Sequence, residues 1–155
     1  MTAEAVPTAP PANRMVVAVL ALIGLFVAFY LMAHSFGWTG PLVCGVGDCG
    51  TVQASPYAKW GPVPVSVVGF AGYALLLGAA LLGIQPGRQD SRSVALVLLA
   101  GGTIGFIASA WFTYAEAFLI HAWCQWCVIS AILMTLIFVA VLPEAKRLKA
   151  TQETL

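Results

Sequence analysis

Residues 15–36 read MVVAVLALIGLFVAFYLMAHSF, an apolar run without Lys, Arg, Asp or Glu. Three further runs of the same kind lie at 65–84, 94–115 and 124–142. Each holds about 19–22 residues, which is enough for a helix to cross ~30 Å of hydrocarbon. Strands of a membrane barrel would alternate polar and apolar residues, and these runs do not. The sequence therefore predicts an all-α integral membrane protein, a bundle of four transmembrane helices.

The overall composition agrees with a membrane protein. Of 155 residues, 61% are hydrophobic and 8% are charged, whereas soluble domains carry about 25% charged residues. A net charge of +1 provides no basic surface, so we expect no nucleic-acid partner. We predict a disordered, proline-containing tail at 1–13, a membrane domain at 14–142 and a C-terminal tail at 143–155.

Cationic residues are distributed unequally across the predicted bundle. Four helices place both termini and the loop 85–93 on one side of the membrane. Six cations lie on that side and only Lys59 lies on the other; the six are Arg14, Arg88, Arg92, Lys146, Arg147 and Lys149. The positive-inside rule therefore predicts cytoplasmic termini in the inner (cytoplasmic) membrane, with the remaining loops on the outer, periplasmic face.

The chain has four cysteines, in two pairs. Cys44 and Cys49 lie in the loop after the first run, and Cys124 and Cys127 open the fourth run. The predicted threading puts both pairs on the outer face, which is oxidising in bacteria. Thiol–disulfide chemistry is possible there.

The second pair is a C-x-x-C motif at a helix N-terminus, where the helix dipole stabilises a thiolate. The thiolate is the nucleophile of thiol–disulfide exchange. The first pair is interrupted by Gly45 and Gly47, which permit a tight disulfide ring and leave the loop mobile. A mobile pair beside a C-x-x-C is what an electron shuttle requires, because exchange depends on access and geometry.

Other interpretations of the cysteines stay open. Two structural disulfides are one, although lipid burial already stabilises such a bundle. A four-thiolate zinc site in a membrane metal-binding or assembly factor is another. We expect no metal, because metal thiolates are unusual at an oxidising surface. A maturation protein that serves one secreted enzyme would use the same redox chemistry.

Several residues near the cysteines are candidates for supporting roles. His121 and Glu116 are candidates for proton transfer or for tuning a thiol pKa, and the alternative for each is a polar residue at the water boundary. Asp48 either disfavours a thiolate at the next residue or is a turn residue. We assign Gly101 and Gly105 to helix packing.

Four segments together resemble a known family. They are Cys44, CGTVQASPY at 49–57, GPVP at 61–64 with Gly69 and Tyr73 after it, and HAWCQWCVISA at 121–131. This set is similar to the vitamin K epoxide reductase family, in its bacterial branch, over nearly all of the chain from the first helix to the fourth. The disulfide bond formation protein B family has the same helix number and chemistry, but there the C-x-x-C precedes the separated pair.

The resemblance implies a four-helix bundle around a quinone, either ubiquinone or menaquinone. A short half-helix before the second helix, in the stretch 55–60, would cover the quinone pocket. By the same resemblance Cys127 lies against the quinone, Cys124 exchanges with Cys49, and Cys44 meets an external protein. The cofactor-binding candidates are Cys127, Ser55, Trp60 and Ser130.

The function that the resemblance implies is that of a quinone-dependent thiol oxidoreductase. It would reoxidise a thioredoxin-fold dithiol protein outside the membrane and so support disulfide bond formation. Many bacterial relatives carry a fused thioredoxin-like domain; this sequence ends soon after the fourth run, so we expect a separate partner. Ala131 stands where the animal branch has Tyr, so vitamin K epoxide itself is not the expected substrate.

Overall fold

The structure is a computed structural model that describes residues 10–153. Most of the described chain is helical. The one sheet in this part of the chain is a hairpin of two strands, each of two residues. In chain order the elements are α1 (Ala12–Ser35), α2 (Cys49–Ala54), a 3-10 turn (Pro56–Ala58), β1 (Lys59–Trp60), β2 (Val63–Pro64), α3 (Val65–Ile84), α4 (Arg92–Ala115), a π-helix (Glu116–Ile120) and α5 (Gln125–Glu153).

Four of these helices are long and apolar enough to cross a membrane: α1, α3, α4 with its π-helical extension, and α5. Helix α1 packs against α3 and α5, and α4 packs against α5 and α3, so the four form a closed bundle. The predicted four-helix membrane fold is confirmed, including a short helix ahead of the second membrane helix. That short helix is α2, and a 3-10 turn at Pro56–Ala58 follows it within the predicted stretch 55–60.

The hydrophobic core lies mainly in the half of the bundle away from the cysteines. Val17, Leu98, Ile137 and Val141 are each completely buried there. Gly102 allows α4 and α5 to approach closely, since a Cβ at this position would lie 2.8 Å from Val141. Small residues at such contacts are typical of membrane bundles, where close backbone approach supplies the packing energy.

Large apolar side chains also cover the outside of the bundle. Phe26 and Val19 are 67% and 60% exposed in the isolated chain. In water such a surface would be unfavourable, at roughly 25 cal/mol per Å² of exposed apolar area. This pattern is that of a surface which contacts lipid chains.

A buried ion pair closes the end of the bundle opposite the cysteines. Arg14 and Glu144 are both fully buried, and their side chains meet at 2.7 Å. The Arg14 guanidinium also donates to the Gly83 carbonyl at 3.0 Å, and Asn13 donates to the Glu144 carboxylate at 2.7 Å. The network therefore ties the start of α1 to the end of α3 and to the last turns of α5.

Two helices are longer than the hydropathy pattern indicates, and Asn13 and Glu144 of this network lie in the added turns. The pattern ended the fourth helix at Leu142, yet α5 continues through Pro143 to Glu153. Packing neighbours let a membrane helix tolerate proline. At the other terminus, Ala12 and Asn13 of the predicted tail already belong to α1. Residues 1–9 of that tail lie outside the described part of the chain.

Candidate redox site

The outer pair of cysteines is oxidised and its loop is fixed in place. Cys44 and Cys49 form a disulfide. Gly47 adopts φ +85° and forms an antiparallel bridge with Cys124, while the amide of Asp48 donates to the carbonyl of Trp123 at 2.8 Å. A Cβ at Gly47 would collide with the same carbonyl, so glycine is required here.

Two side chains of the C-x-x-C motif hold the same loop. The Gln125 amide oxygen accepts hydrogen bonds from the amides of Gly45 at 2.8 Å and Val46 at 3.1 Å. The indole N–H of Trp126 donates to the Val43 carbonyl at 2.9 Å. The sequence predicted a mobile loop; in this redox state the loop is instead anchored on both sides of Cys44.

Asp48 begins the short helix that carries Cys49. Its carboxylate accepts hydrogen bonds from the backbone amide of Thr51 at 2.9 Å and from the Thr51 hydroxyl at 2.6 Å. These bonds lower the pKa of Asp48 from its usual value. Asp48 is therefore the N-cap of α2, which supports the turn-residue interpretation of the two considered from the sequence.

The four cysteines differ in their exposure to solvent or to the cavity. Cys49 and Cys124 are buried, 1% and 0% exposed, and pack together with Val52. Cys44 is partly exposed toward the loop surface, and Cys127 is partly exposed toward a cavity. The order Cys44, Cys49, Cys124, Cys127 thus leads from the loop surface, through a buried contact, to the cavity.

Cys124 and Cys127, the inner pair, are reduced. Cys124 is the N-cap residue of α5. The pKa of the Cys124 thiol is lowered to about 7, chiefly by a hydrogen bond with the Cys127 side chain. Backbone N–H groups of Cys127 and Trp126 act in the same direction. They are the free amides of the first helical turn, so a Cys124 thiolate takes the place that a capping oxygen usually holds.

Glu116 is a buried acid beside both inner thiols. It is 3% exposed, and its Oε2 accepts a hydrogen bond from the backbone amide of Cys124 at 3.1 Å. The carboxylate also faces the side chain of Cys127. The π-helix that Glu116 opens, after the regular turns of α4, gives it this position. Such π-turns are frequent at functional sites.

A cavity of about 420 Å³ lies between the helices, next to Cys127. Its size is within the range of small-molecule and cofactor pockets. Apolar and small side chains form most of its wall, and Cys127 lies in that wall. The lining includes Leu31, Val52, Gln53, Ser55, Tyr57, Trp60, Gly69, Gly72, Tyr73, Leu76, Gly101, Gly105, Phe112, Glu116, Cys127, Ser130 and Met134.

Few polar groups line this cavity. Two of them, on Tyr73 and Gln53, were not given a role from the sequence. The Tyr73 hydroxyl lies 2.8 Å from the Ser130 hydroxyl and donates to the Ser130 carbonyl at 3.0 Å. The Gln53 amide donates to the Cys127 sulfur at 3.6 Å. Both residues fall within the segments that carried the family resemblance, and that is the signal by which they could have been found.

The predicted site residues are only partly brought together. Ser55, Trp60, Ser130 and Glu116 all line the cavity with Cys127. His121 does not: it is exposed and has φ 58° at the end of the π-helix, where it ends that helix. Its position therefore gives no support to a role in proton transfer.

The glycines of α4 do more than the packing role assigned to them. Gly101 contacts Leu76, and Gly105 contacts Met134, as expected for a helix interface. Both also line the cavity. Their lack of side chains keeps that space open between the helices.

Comparison with known proteins gives a family for this arrangement. Residues 15–142 match the Vitamin K epoxide reductase family. The chain belongs to that family. Among curated proteins, no significant match is found. Membership of the vitamin K epoxide reductase family makes the chain a multi-pass membrane thiol oxidoreductase, and the Cys44–Cys49 disulfide beside a free C-x-x-C fits that chemistry.

The metal-binding alternative is not supported by the cysteine geometry. A four-thiolate zinc site needs four deprotonated sulfurs. Two of the four are joined in the Cys44–Cys49 disulfide. Among residues 10–153, no group of three or more His, Cys, Asp or Glu side chains is arranged to hold a metal ion.

Proposed function

We propose that the protein reoxidises a thioredoxin-fold dithiol protein outside the membrane and passes the electrons to ubiquinone or menaquinone in the bilayer, which supports disulfide bond formation. The observation that carries the proposal is that Cys49 and Cys124 lie in one buried cluster, between the loop surface and the cavity. The proposed partner is a separate chain. The distribution of Lys and Arg supports cytoplasmic termini in the inner membrane and cysteines on the periplasmic face.

The relay begins at the most accessible sulfur. A thiolate of the partner attacks Cys44, forms a mixed disulfide with it and releases Cys49 as a thiolate. Cys49 attacks Cys124 of the oxidised inner pair and releases Cys127 as a thiolate. Each step exchanges one disulfide bond for another, so no external oxidant is consumed.

Two further exchanges return the outer pair to its oxidised form. The second thiol of the partner displaces Cys44, and the partner leaves with its own disulfide. Cys44 then attacks Cys49, re-forms the Cys44–Cys49 bond and releases Cys124. A low pKa makes Cys124 a good leaving group, so its pKa of about 7 favours this direction. The described state, with the outer pair oxidised and the inner pair reduced, corresponds to the product of these steps.

The cavity residues fit a quinone ring. An apolar wall with a few convergent polar groups is typical of cofactor sites. When bound, a quinone accepts two electrons and two protons. Cys127 would contact it, while Ser55, Trp60, Ser130 and Tyr73 would hold and orient it. As the Cys124–Cys127 disulfide re-forms, two thiol protons must leave, and Glu116 is placed to hold one of them at its carboxylate.

The test separates the two ends of the relay. Cys127→Ser should abolish quinone reduction with any electron donor, because it removes the sulfur that lines the cavity. Cys44→Ser should block a protein dithiol yet retain quinone reduction when a small dithiol reduces the inner pair directly. Both are followed by quinone absorbance with purified protein. Quinone reduction by Cys127→Ser at the wild-type rate would refute the assignment.

A further inference from the structure

The two residues between the inner cysteines have a second set of contacts that thiol chemistry does not require. Gln125 and Trp126 make three hydrogen bonds, and all three go to backbone atoms of the Cys44 loop. Their partners lie about 80 positions away in the chain: the sequence separations are 80, 79 and 83. The contacts therefore belong to tertiary docking and not to the local structure of α5.

The three hydrogen bonds reach backbone atoms on both sides of Cys44. Trp126 holds Val43, immediately before Cys44, while Gln125 holds Gly45 and Val46, immediately after it. All three target residues are exposed or lie at the loop surface, and the Val43 and Val46 side chains are 75% and 77% exposed. With so little side-chain burial, the loop owes its placement mainly to hydrogen bonds.

We propose that Gln125 and Trp126 are positioning residues that dock the Cys44 loop, so that Cys49 is held against Cys124 for exchange. This role presupposes the proposed relay. One side-chain oxygen accepting two consecutive amides fixes the orientation of the loop as well as its distance. The indole N–H fixes the other side. Together with the Gly47–Cys124 bridge and the Asp48–Trp123 hydrogen bond, the middle residues of this C-x-x-C thus set how often Cys49 meets Cys124.

The docking can be measured without quinone or partner protein. In a Cys44→Ser/Cys127→Ser background, only Cys49 and Cys124 can pair. Equilibration with glutathione redox buffer then gives the effective concentration of one thiol at the other. Each net hydrogen bond is worth about 1 kcal/mol, and 1.4 kcal/mol is about tenfold in an equilibrium constant.

Three added substitutions test the docking. Gln125→Met keeps the side-chain length and removes the acceptor, so the effective concentration should fall about tenfold or more. Gln125→Glu keeps an acceptor oxygen and should stay within about twofold of the background. Trp126→Phe removes only the indole N–H, while its ring can still meet the Tyr30 ring (centroids 5.2 Å apart), and should lower the value about fivefold.

Each outcome decides the inference. An effective concentration unchanged by both Gln125→Met and Trp126→Phe, in folded protein, would overturn it. A fall with Gln125→Glu as large as with Gln125→Met would also overturn it, because the accepting oxygen would then be irrelevant. If Cys49 and Cys124 form no disulfide even in the background variant, the relay itself fails, which is a different result from failure of the docking.

Discussion

The two ends of the bundle each bury a glutamate, and the two glutamates have different surroundings. At the end opposite the cysteines, Glu144 meets Arg14 at 2.7 Å and also accepts a hydrogen bond from Asn13. At the cysteine end, Glu116 accepts hydrogen bonds from the Cys124 amide and from the Cys127 side chain. Within residues 10–153, no Lys or Arg forms an ion pair with Glu116. Permanent pairing suits a structural role, whereas an acid without a cation beside two thiols is free to exchange protons.

The largest expected effect comes from breaking the Arg14–Glu144 ion pair. Glu144→Leu leaves the Arg14 guanidinium buried without its partner, which costs about 3–5 kcal/mol of stability. Thermal unfolding in detergent should show this loss. The double variant Arg14→Met/Glu144→Leu removes both charges and should recover most of it. A double variant as unstable as the single one would mean that the charge pair is not what holds this end.

The matching change at Glu116 should affect the chemistry and leave the stability nearly unchanged. Glu116→Gln keeps an oxygen for the Cys124 amide but cannot carry a proton. We expect quinone reduction to slow about 100-fold, at the low end of general acid–base effects, with the unfolding temperature near that of the wild type. Unaltered turnover would remove Glu116 from the mechanism, and a large loss of stability would make it structural like Glu144.

The pH dependence of the inner thiols gives the next effect. Because the Cys124 pKa is lowered to about 7, its thiolate should form as pH rises through 7 and not near the ordinary thiol value. The thiolate absorbance of protein with the Cys44–Cys49 bond intact measures the midpoint. Cys127→Ala removes the main cause of the shift, so its midpoint should move upward. Equal midpoints in the two proteins would contradict the assigned cause.

A small effect is expected from the cavity wall. Tyr73→Phe removes the hydroxyl that meets Ser130 and leaves the ring in place. Loss of one hydrogen bond costs about 1 kcal/mol, so the KM for quinone should rise about fivefold with little change in kcat. A matched control is Tyr57→Phe, since the Tyr57 side chain also lines the cavity. Equal effects of the two substitutions would argue against a specific role for the Tyr73–Ser130 pair.

Much of the fold was predictable because membrane helices are encoded locally. Runs of about 20 apolar residues identify each span without knowledge of its neighbours. The cavity positions Ser55, Trp60 and Ser130 came from the family resemblance, and the structure places all three in the cavity wall.

What the sequence did not reveal depends on long-range contacts or on a local change of helix type. Arg14 and Glu144 are 130 positions apart, and Gln125 is 80 positions from Gly45. Hydropathy windows cannot detect such pairs. The burial of Glu116 depends on a π-helix, and apolar periodicity gives no sign of where regular α-helical turns will end.

The most direct test of the account is whether Cys49 and Cys124 can bond to each other. In the Cys44→Ser/Cys127→Ser protein, mild oxidation should join these two buried sulfurs within one chain. Mass spectrometry of a non-reduced digest should then recover a linked peptide pair that contains both residues. Two thiols that stay free, or that link only between different copies of the chain, would contradict the proposed path of electrons through the bundle.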